Sequence, residues 1–233
     1  MFLLPYLLQI PWNPDAALFT IGNFTLYWYG LTWALSVLLG YLLTLYLYRT
    51  EGIDVTYVAS LTEHIFIGGL IGARLGVVFF YEFDYYLQHP LEIPMIWKGG
   101  LASHGGVIGI LLSVYWFSRK YPQLSYLKVL DFLALGSLLV GGLIRLGNLM
   151  NSEIVGKATD MPWGFIFIQR GETFARHPSP LYEVILCFGL LFFLVVLHRY
   201  KWRVLPTGTL LGLFFVLAFG GRILLEFLKE SAV

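Results

Sequence analysis

Six apolar stretches, each close to the length of a helix that crosses a bilayer, constrain this chain more than any other feature. They run over about Leu26–Tyr48, Tyr57–Tyr81, Leu101–Phe117, Val129–Leu149, Leu181–His198 and Thr207–Leu228. A helix needs roughly 20 apolar residues to cross the hydrocarbon core. Charged residues make up 12% of the 233-residue chain, against about 25% in an average soluble domain. A soluble fold of this size lacks the interior to hide so much apolar surface, so lipid must be the second solvent. The expected fold is therefore an all-α polytopic integral membrane protein of about six transmembrane helices in a single membrane domain. Net charge is only +1, which gives no reason to expect nucleic acid as a partner.

Loop charges predict orientation. The loops after the first, third and fifth spans hold Arg49, Arg119, Lys120, Lys128, Arg199, Lys201 and Arg203. The intervening loops hold Lys98, Lys157, Arg170 and Arg176, diluted by Glu82, Asp84, Glu92, Asp160 and Glu172. The first set belongs inside, with both termini outside. Residues 1–25 then read as an outer interfacial segment. They carry no Lys or Arg and have Pro5 and Pro11, which argues against a cleaved signal peptide. Residues 153–180 read as a small extracytoplasmic cap between spans four and five. Trp163, Phe165 and Phe167 within it are expected to pack on the membrane surface.

This orientation brings polar residues from separate helices to one outer level: Tyr29, Arg74, His104, Arg145, Asn148, Asn151, Glu153, Glu183, Arg222 and Glu226. Charges in a membrane are costly and normally face a bundle interior or a wet cavity. Each long side chain could instead snorkel alone to the headgroups. The number of residues at one level favours a shared cavity. Guanidinium is well shaped to hold phosphate with paired donors, which makes an anionic phospholipid the leading ligand class.

His104 lies in Gly99–Gly100–Leu101–Ala102–Ser103–His104–Gly105–Gly106, where bare glycines let lipid or backbone approach the ring. It is either a proton acceptor or a structural histidine at a glycine-packed helix start. Neighbouring Ser103 points about 100° away on a helix, and no Gly-x-Ser-x-Gly elbow occurs, so a serine hydrolase is disfavoured. No His/Cys set has metal-ligand spacing, and neither metal nor cofactor is expected. Cys187, the only cysteine, reads as small apolar filling. Asn148 and Asn151 also suit capping of the fourth span. Arg74 could brace Glu183 or Glu226. A lipid or anion transporter and a non-catalytic scaffold remain alternatives. The nearly uninterrupted apolar inner halves of spans one, three and five speak against transport.

Gly142–Leu143–Ile144–Arg145–Leu146–Gly147–Asn148–Leu149–Met150–Asn151–Ser152–Glu153–Ile154–Val155–Gly156 resembles the signature of the prolipoprotein diacylglyceryl transferase family. Also similar are Trp28–Tyr29–Gly30, Gly72–Ala73–Arg74–Leu75–Gly76, Ser103–His104–Gly105–Gly106, Thr159–Asp160–Met161–Pro162–Trp163–Gly164, His177–Pro178–Ser179–Pro180–Leu181–Tyr182–Glu183 and Arg222 through Leu225–Glu226–Phe227. These blocks follow the family's order over residues 28–227. Departures are Ile144 and Ser152 for glycines, Leu149 for an aromatic, Val155 for tryptophan, Pro180 for glutamine and Ala218 for tyrosine. A seventh span usual in the family is not reached by Val233.

The resemblance implies transfer of the diacylglyceryl group of phosphatidylglycerol to the lipobox cysteine in a prolipoprotein signal peptide. A thioether forms and glycerol phosphate leaves. The setting would be the bacterial cytoplasmic (inner) membrane, with the site toward the outer leaflet. His104, Arg145 and Arg222 would be catalytic. Arg145, Tyr29, Arg74, Asn148, Asn151, Glu153 and Glu226 would hold substrate.

Overall fold

The computed structural model describes residues 9–201 and 203–230; the opening of the interfacial segment expected at residues 1–25 lies outside them. The chain is mostly helical. It forms two compact units, one combining the chain up to Leu43 with the chain from Phe132 on, the other Thr44–Asp131.

In the first unit, strand β1 (Ile10–Trp12) precedes a hairpin of β2 (Ala17–Ile21) and β3 (Phe24–Tyr27). Ile21 pairs with Phe24 across Gly22–Asn23, and Gly22 supplies the positive φ of 59° that such a two-residue turn requires. Helix α1 (Trp28–Thr50) follows at once. It ends where Gly52 takes a left-handed φ of 70° and Ile53 N–H returns to Tyr48 C=O at 2.9 Å. That pattern satisfies the last carbonyls of a helix.

The second unit is built on α2 (Thr56–Phe80) and α4 (Ser103–Lys120), with the short α3 (Phe83–Gln88) in the loop between them. Gly68, Gly72 and Gly76 recur every four residues on α2 and meet Gly105, Gly109 and Ser113 of α4. A Cβ added at Gly76 would lie 2.8 Å from Gly105 Cα, so the two backbones touch with no side chain between them. Small residues at this spacing are how helices associate in lipid, where no hydrophobic force drives them together.

Helices α5 (Tyr126–Met150) and α6 (Ser179–Lys201) correspond to the expected fourth and fifth spans. The last span arrives in three pieces: α7 (Thr209–Phe214), a π-helical turn (Phe215–Phe219) and α8 (Gly220–Glu226). Five helices are long and apolar enough to cross a membrane: α1, α2, α5, α6 and the composite Thr209–Glu226. The third expected span is present as α4 but falls outside these five. Its 18 residues reach about 27 Å and include Ser103, His104 and three glycines.

The cap carries a strand that no pattern in the sequence predicts. β4 (Phe165–Phe167) pairs in parallel with β1, Ile10 opposite Phe165 and Trp12 opposite Phe167. Phe165 and Phe167 do not pack on the membrane surface as expected. Alternate residues of a strand share a face, and both rings turn into a small core with Leu149 and Val155, while Trp12 lies 5.0 Å from Phe165. Trp163 alone of the three is exposed.

Candidate active site

Arg145 and Asn148 stand three apart near the C-terminal end of α5, so they share a helix face. Arg145 Nη1 donates to Asn148 Oδ1 at 3.2 Å. Asn148 Nδ2 donates onward to Glu153 Oε2 at 3.0 Å, and Asn151 Nδ2 to Glu153 Oε1 at 3.2 Å. The carboxylate reaches back because the chain reverses directly after the helix. Glu153 N–H bonds Asn148 C=O at 2.9 Å, with Ser152 left-handed at φ 55° and Ile154 at φ 54°. Glycine is the usual residue at such a reversal, and Ser152 occupies it at a steric cost. The side-chain amides of Asn148 and Asn151 both bond Glu153, and Asn148 ties Arg145 to that carboxylate beyond the helix.

A second carboxylate approaches from α6. Glu183, in that helix's first turns and buried, forms an ion pair with Arg145 through Nε. Its other oxygen is 2.6 Å from Lys229 Nζ, and Lys229 also contacts Glu226 at 3.4 Å. Lys229 is buried, whereas the Glu226 side chain is 64% exposed. The polar groups therefore form one line: Lys229, Glu183, Arg145, Asn148, Glu153, Asn151.

A cavity of about 190 Å³ opens beside this line, bounded by Arg145, Glu183, Gly141, Cys187, Phe219 and Arg222 among others. Ala218 and Phe219 come from the π turn, an irregularity frequent at functional sites. Arg222 is exposed and makes no hydrogen bond or ion pair among the described residues. The cavity thus combines one engaged guanidinium with one that is uncommitted, an arrangement suited to an incoming anion. Tyr29, in the first turn of α1, packs on Gly147: a Cβ there would meet its ring at 2.9 Å and Thr32 Oγ1 at 2.6 Å. Only a glycine between Arg145 and Asn148 lets α1 approach so closely.

Arg74 and His104 belong to the other unit. Arg74 is buried and donates to four backbone carbonyls, those of Glu92 (2.8 Å), Ile93 (2.7 Å), Gly99 (2.6 Å) and Gly100 (3.2 Å). Its guanidinium also lies 5.0 Å from the Tyr86 ring centre. Gly99 and Gly100 adopt φ of 86° and 74°, a conformation that lets their carbonyls face it. His104 is exposed in the first turn of α4 and makes no hydrogen bond among the described residues. Of the glycines around it, Gly105 is the contact with α2, and the carbonyls of Gly99 and Gly100 hold Arg74.

The cap is tied to residues 228–230 beside the site. Gly156 N–H bonds His177 C=O and Lys157 N–H bonds Leu228 C=O, both at 2.9 Å. A Cβ on Gly156 would fall 2.6 Å from Leu228 C=O and 2.5 Å from Ser179 Oγ. Arg176 contacts Glu172 at 2.7 Å and Glu230 at 2.9 Å. Burial works against its charge, but these carboxylates outweigh that and raise its pKa. His177 lies 3.1 Å from the Tyr182 hydroxyl, which accepts from Trp163 Nε1 at 3.0 Å, and burial lowers the His177 pKa.

Lys229 was not among the residues expected from the sequence; it lies three residues past Glu226, where the last helix ends and the chain pairs with Gly156. Among the described residues, no three His, Cys, Asp or Glu side chains gather as a metal site.

Comparison with known proteins agrees with the motifs. A family model described as prolipoprotein diacylglyceryl transferase matches residues 16–233. A protein of Tolumonas auensis named phosphatidylglycerol–prolipoprotein diacylglyceryl transferase is 44% identical over 218 residues, 94% of this chain and 84% of its own. Proteins of the same name from Chloroherpeton thalassium and Bacteroides fragilis are 47% and 39% identical, covering 94% and 97% of this chain and 81% and 86% of their own.

Proposed function

The chain belongs to the prolipoprotein diacylglyceryl transferase family, and on that premise we propose that it transfers the diacylglyceryl group of phosphatidylglycerol to the lipobox cysteine of a prolipoprotein signal peptide. Its setting is the bacterial cytoplasmic membrane, and the loop charges support an orientation with the cavity toward the outer leaflet. The observation that carries the site assignment is the cavity in which Arg145, ion-paired, and Arg222, uncommitted, line one wall system.

The peptide sulfur attacks the glycerol carbon that bears the phosphate ester. An S–C bond forms, the C–O bond breaks, and its electron pair leaves on the phosphate of glycerol phosphate. No protein nucleophile is needed, so Cys187 has no covalent part. Arg222 and Arg145 receive the developing phosphate charge; a fixed donor of this kind is typically worth about 100- to 1000-fold in rate. A thiol near pKa 8.5 reacts as thiolate, and His104 is the proposed acceptor of its proton. Tyr29, Asn148, Asn151 and Glu153 hold the headgroup glycerol and fix Arg145. Glu226 borders the same headgroup. Arg74 acts indirectly, by shaping the loop that leads into His104.

The test is incubation of the purified protein in phosphatidylglycerol vesicles with a lipobox peptide. The expected result is a peptide mass gain of one diacylglyceryl group with stoichiometric glycerol phosphate. Lipid flux across the vesicle without peptide modification would overturn this reading in favour of a transporter.

A further inference from the structure

Lys229 and Glu183 are both buried, and neither has a part in the chemistry described so far. Glu183 is shared: one oxygen takes Arg145 and the other takes Lys229 Nζ at 2.6 Å. Side-chain exposure is 6% for Glu183 and 9% for Lys229, so solvent compensates neither. Glu226, the other contact of Lys229, is largely exposed and 3.4 Å away.

A carboxylate bound to one cation alone would hold that cation fast. Turning Arg145 toward a phosphate would then strand a buried, uncompensated charge, and such stranding is strongly unfavourable. With two cations on Glu183, Arg145 can leave while Lys229 keeps the carboxylate neutralised. The backbone fixes the lysine in place beside Glu183. Lys157 N–H bonds Leu228 C=O, and Gly156 pairs with Lys229 across an antiparallel bridge.

We propose that Lys229 is a positioning residue that holds Glu183 as a counter-ion, so that Arg145 exchanges Glu183 for the lipid phosphate when substrate enters. This rests on the reading of the protein as a phosphatidylglycerol-dependent transferase. Lys229 touches neither the phosphate nor the thiol. Its effect passes through Glu183 to Arg145.

The experiment measures phosphatidylglycerol dependence of peptide transfer for wild type, Lys229→Met, Lys229→Arg, Glu183→Gln and the double variant Glu183→Gln/Lys229→Met. Wild-type transfer establishes the underlying reading; its absence would fail that reading and not the counter-ion role. Given wild-type transfer, Lys229→Met is expected to raise KM for phosphatidylglycerol by at least about tenfold, with a smaller change in kcat. Lys229→Arg keeps KM within about threefold of wild type, because it preserves the charge. The double variant removes both buried charges and recovers most of the KM lost in Lys229→Met, a coupling that contacting residues show and independent ones do not. A merely structural lysine would lower the yield of folded protein without this recovery. Should Lys229→Met fail to fold, the double variant against Glu183→Gln decides. Similar KM in those two supports the proposal, and a tenfold worse KM in the double overturns it. A Lys229→Met KM equal to wild type, or a double variant no better than Lys229→Met, also overturns it.

Discussion

Arg74 and Arg145 sit in apolar helices of the two compact units, and their surroundings hold them in opposite ways. Arg74 spends its donors on four backbone carbonyls of the loop at 92–100. Arg145 is held by side chains: the carboxylate of Glu183 and the amide oxygen of Asn148. Main-chain partners cannot move without unfolding the loop, whereas side-chain partners can turn to other contacts. A guanidinium bound by carbonyls is therefore architecture, and one bound by mobile groups beside a cavity is available to a ligand. The same division appears in the glycines. Gly68, Gly72 and Gly76 of the second unit are spaces for a neighbouring helix, while Gly147 and Gly156 of the first unit let α1 and Leu228 come close to the site.

Removing each arginine separately should give opposite results. Arg145→Ala should lower the transfer rate by about 100- to 1000-fold. It should unfold at nearly the wild-type temperature, because Lys229 still compensates Glu183. Arg74→Ala should do the reverse, destabilising the protein by about 3–5 kcal/mol through four orphaned carbonyls, as read from thermal unfolding in detergent. Arg74→Lys should recover only part of this, since an ammonium cannot fork across several acceptors. If Arg74→Ala folded normally and lost transfer, Arg74 would belong with the substrate-binding groups and the distinction would fail.

These contrasts mark what sequence could and could not show. Five of the six expected spans were legible because length and apolar content alone specify a membrane helix. Arg145, Asn148, Asn151 and Glu153 were legible as a set because a helix face and a short reversal bring them together locally. The partners of Arg74 were not legible: carbonyls 18 to 26 residues away carry no side-chain signal. Nor was the β1–β4 pairing, because three-residue strands joined across most of the chain leave no periodicity to read. The π turn has no local signature either. Lys229 was illegible for a related reason. A lysine near the end of an apolar helix looks like an ordinary snorkelling residue until Glu183 is seen beside it.

A smaller effect sharpens the glycine half of the comparison. Ser152 takes a left-handed φ of 55° at the reversal after α5, and its buried hydroxyl has no hydrogen-bond partner among the described residues. In the second unit the corresponding geometry at Gly99 and Gly100 is met by glycine. Ser152→Gly should therefore stabilise the protein by about 1 kcal/mol, visible as a rise in unfolding temperature, with transfer unchanged within about twofold. A loss of transfer in a stabilised variant would mean that the serine hydroxyl meets the substrate.

The smallest effect separates the units by pH. Burial lowers the pKa of His177 in the cap from its ordinary 6.5, so the unfolded chain binds that proton more readily than the folded one. The stability this contributes is present above pH 6.5 and is lost as pH falls from there through the lowered folded value. In the second unit, hydrogen bonds from Lys98 and Tyr85 hold the half-buried Glu92 below its ordinary 4.5. Its contribution survives to that pH and fades only as pH falls through its own lower value. Between pH 7.5 and 5.5, backbone amides of residues 156–177 should therefore lose protection from hydrogen exchange, after correction for intrinsic rates, while those of 92–100 keep theirs. His177→Phe should abolish the difference, since residues 156–177 would then carry no histidine. Equal loosening of both segments in the wild type would show that His177 does not set the acid sensitivity of the cap.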